Sequence, residues 1–228
     1  MPTIETACQL DTGEISVASV PSGASTGTYE ALELRDEDPQ KYNGKGVLKA
    51  VDNVNNILGP GVWGQDVNDQ ERIDNRLIEL DGTKNKTKLG ANAVLSVSVA
   101  ATKAAALCTK QPLYSWINLL SKRVGIKENI KMPTPIFNMI NGGLHGTGNL
   151  DFQEFHVIPA SSKSYSDSLR AGVEIYLILG KDLDRRGAIH SIGDEGGYTP
   201  NLFTNADAIE VLYESLKQTP YQVGRDVF

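Results

Sequence analysis

Cysteine, histidine and surplus positive charge are what this sequence has least of. Its two cysteines, Cys8 and Cys108, stand far apart and in no metal-ligand spacing. That excludes a disulfide-stapled scaffold and a cysteine zinc site, and reads as two reduced thiols. Lys and Arg number 22 against 28 Asp and Glu, a formal net charge of −6. An acidic chain has no general electrostatic attraction for nucleic acid or an anionic membrane surface, so neither is expected as a partner. An anionic substrate would need local cations, from basic side chains or bound metal. The apolar stretches are interrupted by polar residues before about 18 positions, so no membrane span is expected. The N-terminus lacks the charged-then-apolar pattern of a secretory signal. HExxH, CxxC, GxGxxG and the P-loop pattern are absent, and no Ser/His/Asp constellation stands out.

What is present is an ordinary globular mix of 228 residues, enough for one large domain or two smaller ones. Residues 14–20 alternate as a strand does, and the small-residue run Pro21 to Gly27 reads as a mobile loop. Val47, Ala50, Val51, Val54 and Leu58 recur at helical spacing, with Gly59-Pro60-Gly61 expected to stop that helix. Ile73, Leu77 and Leu80 mark a helix ended by Asp81-Gly82. Residues 91–108 form a small-residue helix suited to close packing, and Pro112 opens a short helix through Leu120.

The texture changes near Lys131. Two strand candidates, Ile136 to Ile140 and Phe152 to Ile158, are followed by a long amphipathic helix over roughly Tyr165 to Arg185. A short strand over His190 to Gly193 and a helix over about Asn205 to Lys217 come next. The spacing therefore predicts a boundary near residue 130: an α+β part over residues 1–130, then over 131–228 the opening strands and helices of a β/α barrel. A barrel needs eight strands to close. Too few are present, so the barrel is expected to be incomplete and the chain truncated.

Three segments could carry chemistry. Gly193-Asp194-Glu195-Gly196-Gly197 puts a carboxylate pair among glycines at the end of a strand, where β/α barrels build active sites. A solvated acidic turn would look the same. The stretch from Gly142 to Asn149 holds four glycines in eight residues and carries His145. Just beyond it, Gln153 and Glu154 interrupt an apolar strand. A carboxylate there needs a partner if it points inward, or simply faces solvent. The Ser22 to Thr28 loop could cradle an anion through its amides, though most such runs are linkers. His156 and His190 read as structural, and Lys45, Lys49 and the 84–88 cluster as solvated surface.

Taken together, residues 21–36, 46–55, 89–100, 132–145 (MPTPIFNMINGGLH), 151–155 (DFQEF) and 193–202 (GDEGGYTPNL) resemble the enolase family, in family order and spacing across nearly the whole chain. The resemblance implies an N-terminal α+β cap and a C-terminal barrel of ββαα(βα)6 order. It implies a glycolytic hydro-lyase that reversibly dehydrates 2-phospho-D-glycerate to phosphoenolpyruvate with two Mg2+ per complete active site. On the matching positions, Glu195 is the general acid that helps expel hydroxide, and Glu154 a second carboxylate on the substrate's hydroxyl side. Gln153 is a substrate-contacting amide. His145 sits on a loop that closes near the phosphate. Ser25 ligates the second Mg2+ once its own loop closes.

Asp226 does not match the first metal ligand. The main Mg2+ ligands and the base lysine are expected beyond Phe228, and a first strand is expected before Pro2. The 228 residues alone are therefore expected to be inactive and poorly soluble. A homodimer or octamer is implied for the full-length protein, in the cytoplasm, with a secondary surface or secreted role as in some enolases. Two other readings remain: a superfamily member acting on another carboxylic acid, and a non-catalytic binding module.

Overall fold

The computed structural model describes residues 1–23, 26–126, 129–146, 150–188 and 191–228. The chain divides into two compact units, Met1–Ile130 and Lys131–Phe228.

The first unit opens with an antiparallel hairpin of β1 (Ile4–Gln9) and β2 (Ile15–Val20), Ile4 pairing with Val20 and Gln9 with Ile15. Strand β1 is an addition to the sequence reading. Both strands alternate: Ile4 and Thr6 on one, Ser16, Ala18 and Val20 on the other, are buried. Their shared face meets α4 (Ala91–Cys108). Small residues such as Ala93, Ala100 and Ala104 let the helix come close. Two polar side chains on the sheet are satisfied by it: Thr6 Oγ1 donates to Ser96 Oγ at 2.8 Å, and Ser16 Oγ to the Ala100 carbonyl at 2.7 Å.

By length and composition alone, α4 is long and apolar enough to cross a membrane. More than half of it is buried within this unit, against the β1–β2 hairpin and its neighbouring helices.

The helix over Val47–Leu58 does not stop at Gly59-Pro60-Gly61. It runs as α1 (Leu48–Asn53), a π-helical turn (Val54–Leu58) and α2 (Gly59–Val62), and ends at Trp63. Pro60 follows directly on the π-helical turn, where the Gly59 amide reaches back to the Val54 carbonyl, and the helix continues past it to Val62 although proline has no N–H to donate. Helix α3 (Gln70–Asp81) starts on Asp69, whose side chain accepts from the Arg72 amide, and ends on Gly82 at φ +68°. Leu58, Ile73, Leu77, Leu89 and Val97 fill the core between these helices, each worth about 1.5–3 kcal/mol of burial. Helix α5 (Leu113–Arg123) runs three residues past Leu120.

The second unit is built on β3 (Phe137–Asn141) and β4 (Glu154–Val157), paired antiparallel. Asn138 lies opposite His156 and Asn141 opposite Glu154, with a bulge between Asn138 and Ile140. The bulge sets the site. Glu154 and His156, two apart on a strand, share a face. Their partners Asn138 and Asn141 therefore share it too, although they are three positions apart in the chain. The extra residue absorbed by the bulge reverses the alternation, leaving Met139 and Ile140 both buried.

Residues 196–199 run alongside β3: the Asn141 amide donates to the Tyr198 carbonyl at 2.8 Å, and the Tyr198 amide to Met139 at 2.9 Å. The strand expected over His190–Gly193 is reduced to an isolated bridge from Ile192 to Tyr198, His190 itself lying outside the described residues. Among the described residues, this unit holds two named strands and two long helices.

Helix α6 (Tyr165–Arg185) is capped by Ser164, and α7 (Asn205–Lys217) by a reciprocal capping box of Thr204 and Asp207. Ile175, Leu179 and Leu183 of α6 pack with Val211, Leu212 and Leu216 of α7 and with Met139, Ile140 and Val157 of the hairpin. Phe228 and Ile158 exchange two backbone bonds, at 2.8 and 2.7 Å, which ties residues 227–228 beside the end of β4.

Candidate active site

The side chains that sequence reasoning singled out around residues 145–156 and 193–197 lie on β4 and on the turns beside the β3–β4 hairpin. Glu195 stands at the tip of a tight turn in which the Gly193 amide donates to the Gly197 carbonyl at 2.9 Å. The Tyr176 hydroxyl pins that turn by donating to the Gly196 carbonyl at 2.9 Å. Gly197 lets the turn approach the hairpin, because a Cβ there would lie 2.3 Å from Asn141 Oδ1 and 2.9 Å from Asn138 Oδ1.

Both asparagines address one oxygen of Glu195. Asn141 Nδ2 donates to Oε2 at 2.8 Å and Asn138 Nδ2 to the same atom at 3.3 Å. The other oxygen, Oε1, faces His145, whose Nε2 is 3.7 Å away. That is too long for a direct hydrogen bond. With Oε2 engaged by two donors, a proton on Glu195 belongs on Oε1, the oxygen toward His145. A carboxyl so arranged can give or take a proton at one defined atom.

His145 ends a 3-10 turn, Gly143–His145, and its side chain is only 9% exposed. The turn is held to the start of β4 by the Gly142 amide donating to Gln153 and the Gly143 amide to Leu150, each at 2.8 Å. Gly142 has no room for a side chain, since a Cβ would sit 2.2 Å from the Phe152 carbonyl oxygen.

Glu154 lies directly across from Asn141, which places its Cβ about 4.5–5.5 Å from that of Asn141. The two glutamates thus flank one amide. The Glu154 side chain is 32% exposed, neither free in solvent nor buried. Its Oε2 is 2.5 Å from Nε2 of His156. His156, expected to be structural, is therefore the partner of a candidate site residue. The signal available in the sequence was the two-residue spacing on a strand.

Gln153 is exposed just before β4, and its backbone carbonyl rather than its amide is engaged. Asp194 is exposed on the turn. Ser25 lies outside the described residues. Asn138 and Asn141, which hold Glu195, were not assigned roles by sequence reasoning. Tyr198, stacked on Tyr176 with ring centroids 4.3 Å apart, has its phenol pushed up to about 12, first by burial and then by Tyr176, so it stays neutral at ordinary pH.

Both halves of the chain match known family models. That of the enolase N-terminal domain covers residues 1–117, and that of the enolase C-terminal TIM barrel domain covers residues 129–228. The chain belongs to the enolase family.

Enolases generally depend on Mg2+, a hard cation that takes near-octahedral oxygen ligands. The described residues do not fit such a site by themselves. Among them, no group of three or more His, Cys, Asp or Glu side chains converges. The two asparagine oxygens are buried without hydrogen-bond partners but are turned toward Gly197, while the amide nitrogens meet Glu195. Asp226, not expected to be a metal ligand, is engaged within its own unit: Lys163 Nζ donates to its Oδ1 at 2.9 Å and the Gln222 amide to its Oδ2 at 3.0 Å. Those bonds, the Gln222 amide first and Lys163 next, hold its carboxyl below the usual range.

Proposed function

We propose that this enolase-family chain supplies the acid side of a hydro-lyase site that interconverts 2-phospho-D-glycerate and phosphoenolpyruvate. The observation behind this reading is the clamping of Glu195 Oε2 by Asn138 and Asn141, which leaves Oε1 as the proton-bearing oxygen. In dehydration the C2–H bond breaks to a base, the C3–O bond breaks, and Glu195 gives its proton to the departing hydroxide, which leaves as water. In the reverse direction Glu195 takes that proton back from the adding water.

Glu154 is proposed to face the same hydroxyl from the other side of Asn141, Gln153 to contact the substrate through its amide, and His145 to approach its phosphate. Ser25 is proposed to join a Mg2+ site after loop closure. Mg2+ would supply charge compensation for the enolate. No step is assigned to it, because the described residues form no cage for it and present no lysine bonded to Glu195, Glu154 or His145. For the same reason the 228 residues on their own are proposed to be inactive. Dimeric or octameric assembly and a cytoplasmic location belong to the same family-based reading.

The test is phosphoenolpyruvate formation from 2-phosphoglycerate, with Mg2+ and with chelator. It is run on the 228 residues and on the protein expressed from its natural reading frame. Mg2+-dependent turnover that Glu195→Gln abolishes is the expected result. A folded natural-frame protein with no turnover would favour the binding-module reading.

A further inference from the structure

We infer that His156 is a positioning residue: it donates from Nε2 to Glu154 and fixes that carboxylate on the site face, so that the two glutamates of the site are held in different ways. This deepens the lyase reading and presupposes it for the catalytic consequence, though not for the bond itself.

The geometry has three parts. First, Glu154 and His156 are alternate residues of β4, so both side chains rise from the same face of the hairpin as Asn138 and Asn141. Second, the contact is close, Nε2 to Oε2 at 2.5 Å, with both side chains about one third exposed, 37% for His156 and 32% for Glu154. Neither is buried away from a ligand and neither is free to wander. Third, the carboxylate can only accept, so the hydrogen of this bond lies on the histidine ring nitrogen.

The two carboxylates thereby have different partners. Glu195 Oε2 accepts from two neutral amides fixed by the bulge of β3. Glu154 Oε2 accepts from an imidazole on its own strand. Without His156, Glu154 has a flexible side chain on a solvent-facing strand position. Ordering it would then have to be done by the substrate, and would appear as lost turnover.

The experiment uses the fact that the chain has three histidines in all. With 15N-labelled histidine, the ring N–H of His156 is identified as the resonance missing in His156→Gln. It is expected to be protected from exchange and displaced downfield in the parent, and to be lost in Glu154→Leu. A ring proton indifferent to Glu154→Leu would overturn the inference, whether or not the protein is active.

On the natural-frame protein, His156→Met removes the donor and is expected to lower kcat about tenfold with little change in KM. His156→Gln keeps an N–H donor and is expected to recover most of that loss. Unchanged kcat in His156→Met would overturn the positioning role. A parent without turnover would instead sink the lyase reading, while the ring-proton comparison still decides whether His156 holds Glu154.

Discussion

Asn141 and Glu195, far apart in the chain, are joined by a 2.8 Å bond from Nδ2 to Oε2, and the backbone around each is fixed independently of that bond. The Asn141 amide donates to Tyr198, and the Glu195 turn closes on Gly193 and Gly197. The side-chain bond is thus an orienting contact laid over an already ordered frame. It can be removed without dismantling the fold.

Asn141→Leu is the corresponding variant. The asparagine oxygen already lacks a partner, so an apolar side chain of similar size creates no new buried orphan. Glu195 keeps Asn138 and access to water. The expected outcome is a thermal midpoint close to the parent's, with stability changed by about 1 kcal/mol or less. Turnover of 2-phosphoglycerate should fall about a hundredfold, as misplacement of a catalytic group does. A melt and a product assay on the same preparation check both. A variant that melts early and loses activity in proportion would make Asn141 a structural residue only.

Gly197→Ala tests the approach of the turn from the other side. Its Cβ would have to share space with Asn141 Oδ1 at 2.3 Å and Asn138 Oδ1 at 2.9 Å. Neither amide can swing away without releasing Glu195. The expected cost is about 1–3 kcal/mol by denaturant unfolding, together with lost turnover. Adding Asn141→Ser to Gly197→Ala removes the nearer obstacle and is expected to recover stability but not turnover. Additive effects of the two substitutions would show that the contact is not the cause.

These contacts mark what the sequence could and could not convey. Helices α4, α6 and α7 were legible in existence and approximate extent, because apolar periodicity and small-residue content are local signals. Glu195, Glu154 and His145 stood out through the family resemblance, and the structure brings Glu195 and His145 within 3.7 Å of each other. The bulge of β3 was not. A register shift is set by which residues of β4 lie across from it, and an Asn-x-x-Asn spacing suggests opposite strand faces until that pairing is known. Asn138 and Asn141 were therefore given no role, and His156 was read as structural although it sits two residues from Glu154. Pro60 misled for a related reason. Proline tends to end helices by lacking an N–H, yet here it follows a π-helical turn and the helix runs on to Val62.

Asp182 gives the pH prediction. Its side chain is fully buried on α6 and receives Arg185, Arg186 at 3.0 Å and, from α7, the Ser215 hydroxyl at 3.4 Å. Burial pushes its carboxyl up, but Arg186 and Arg185 outweigh it, and the net shift is downward. A group whose folded value lies below its unfolded value stabilises the fold fully above the unfolded value, about 3.9 for aspartate. That contribution is lost as pH falls through the folded value. Asp182→Asn is therefore expected to cost about 1–3 kcal/mol at pH 7, with the deficit shrinking as pH drops below about 4. Other depressed carboxylates, Asp81 and Asp226 among them, contribute a slope common to both proteins. Both tryptophans, Trp63 and Trp116, lie in the first unit, so tryptophan fluorescence would miss the effect. Hydrogen exchange of α6 amides reports it directly. Protection curves of parent and variant that converge in acid identify Asp182 as the titrating group. Curves that stay parallel down to about pH 3, below the unfolded aspartate value, would assign the acid sensitivity of this unit to another carboxylate.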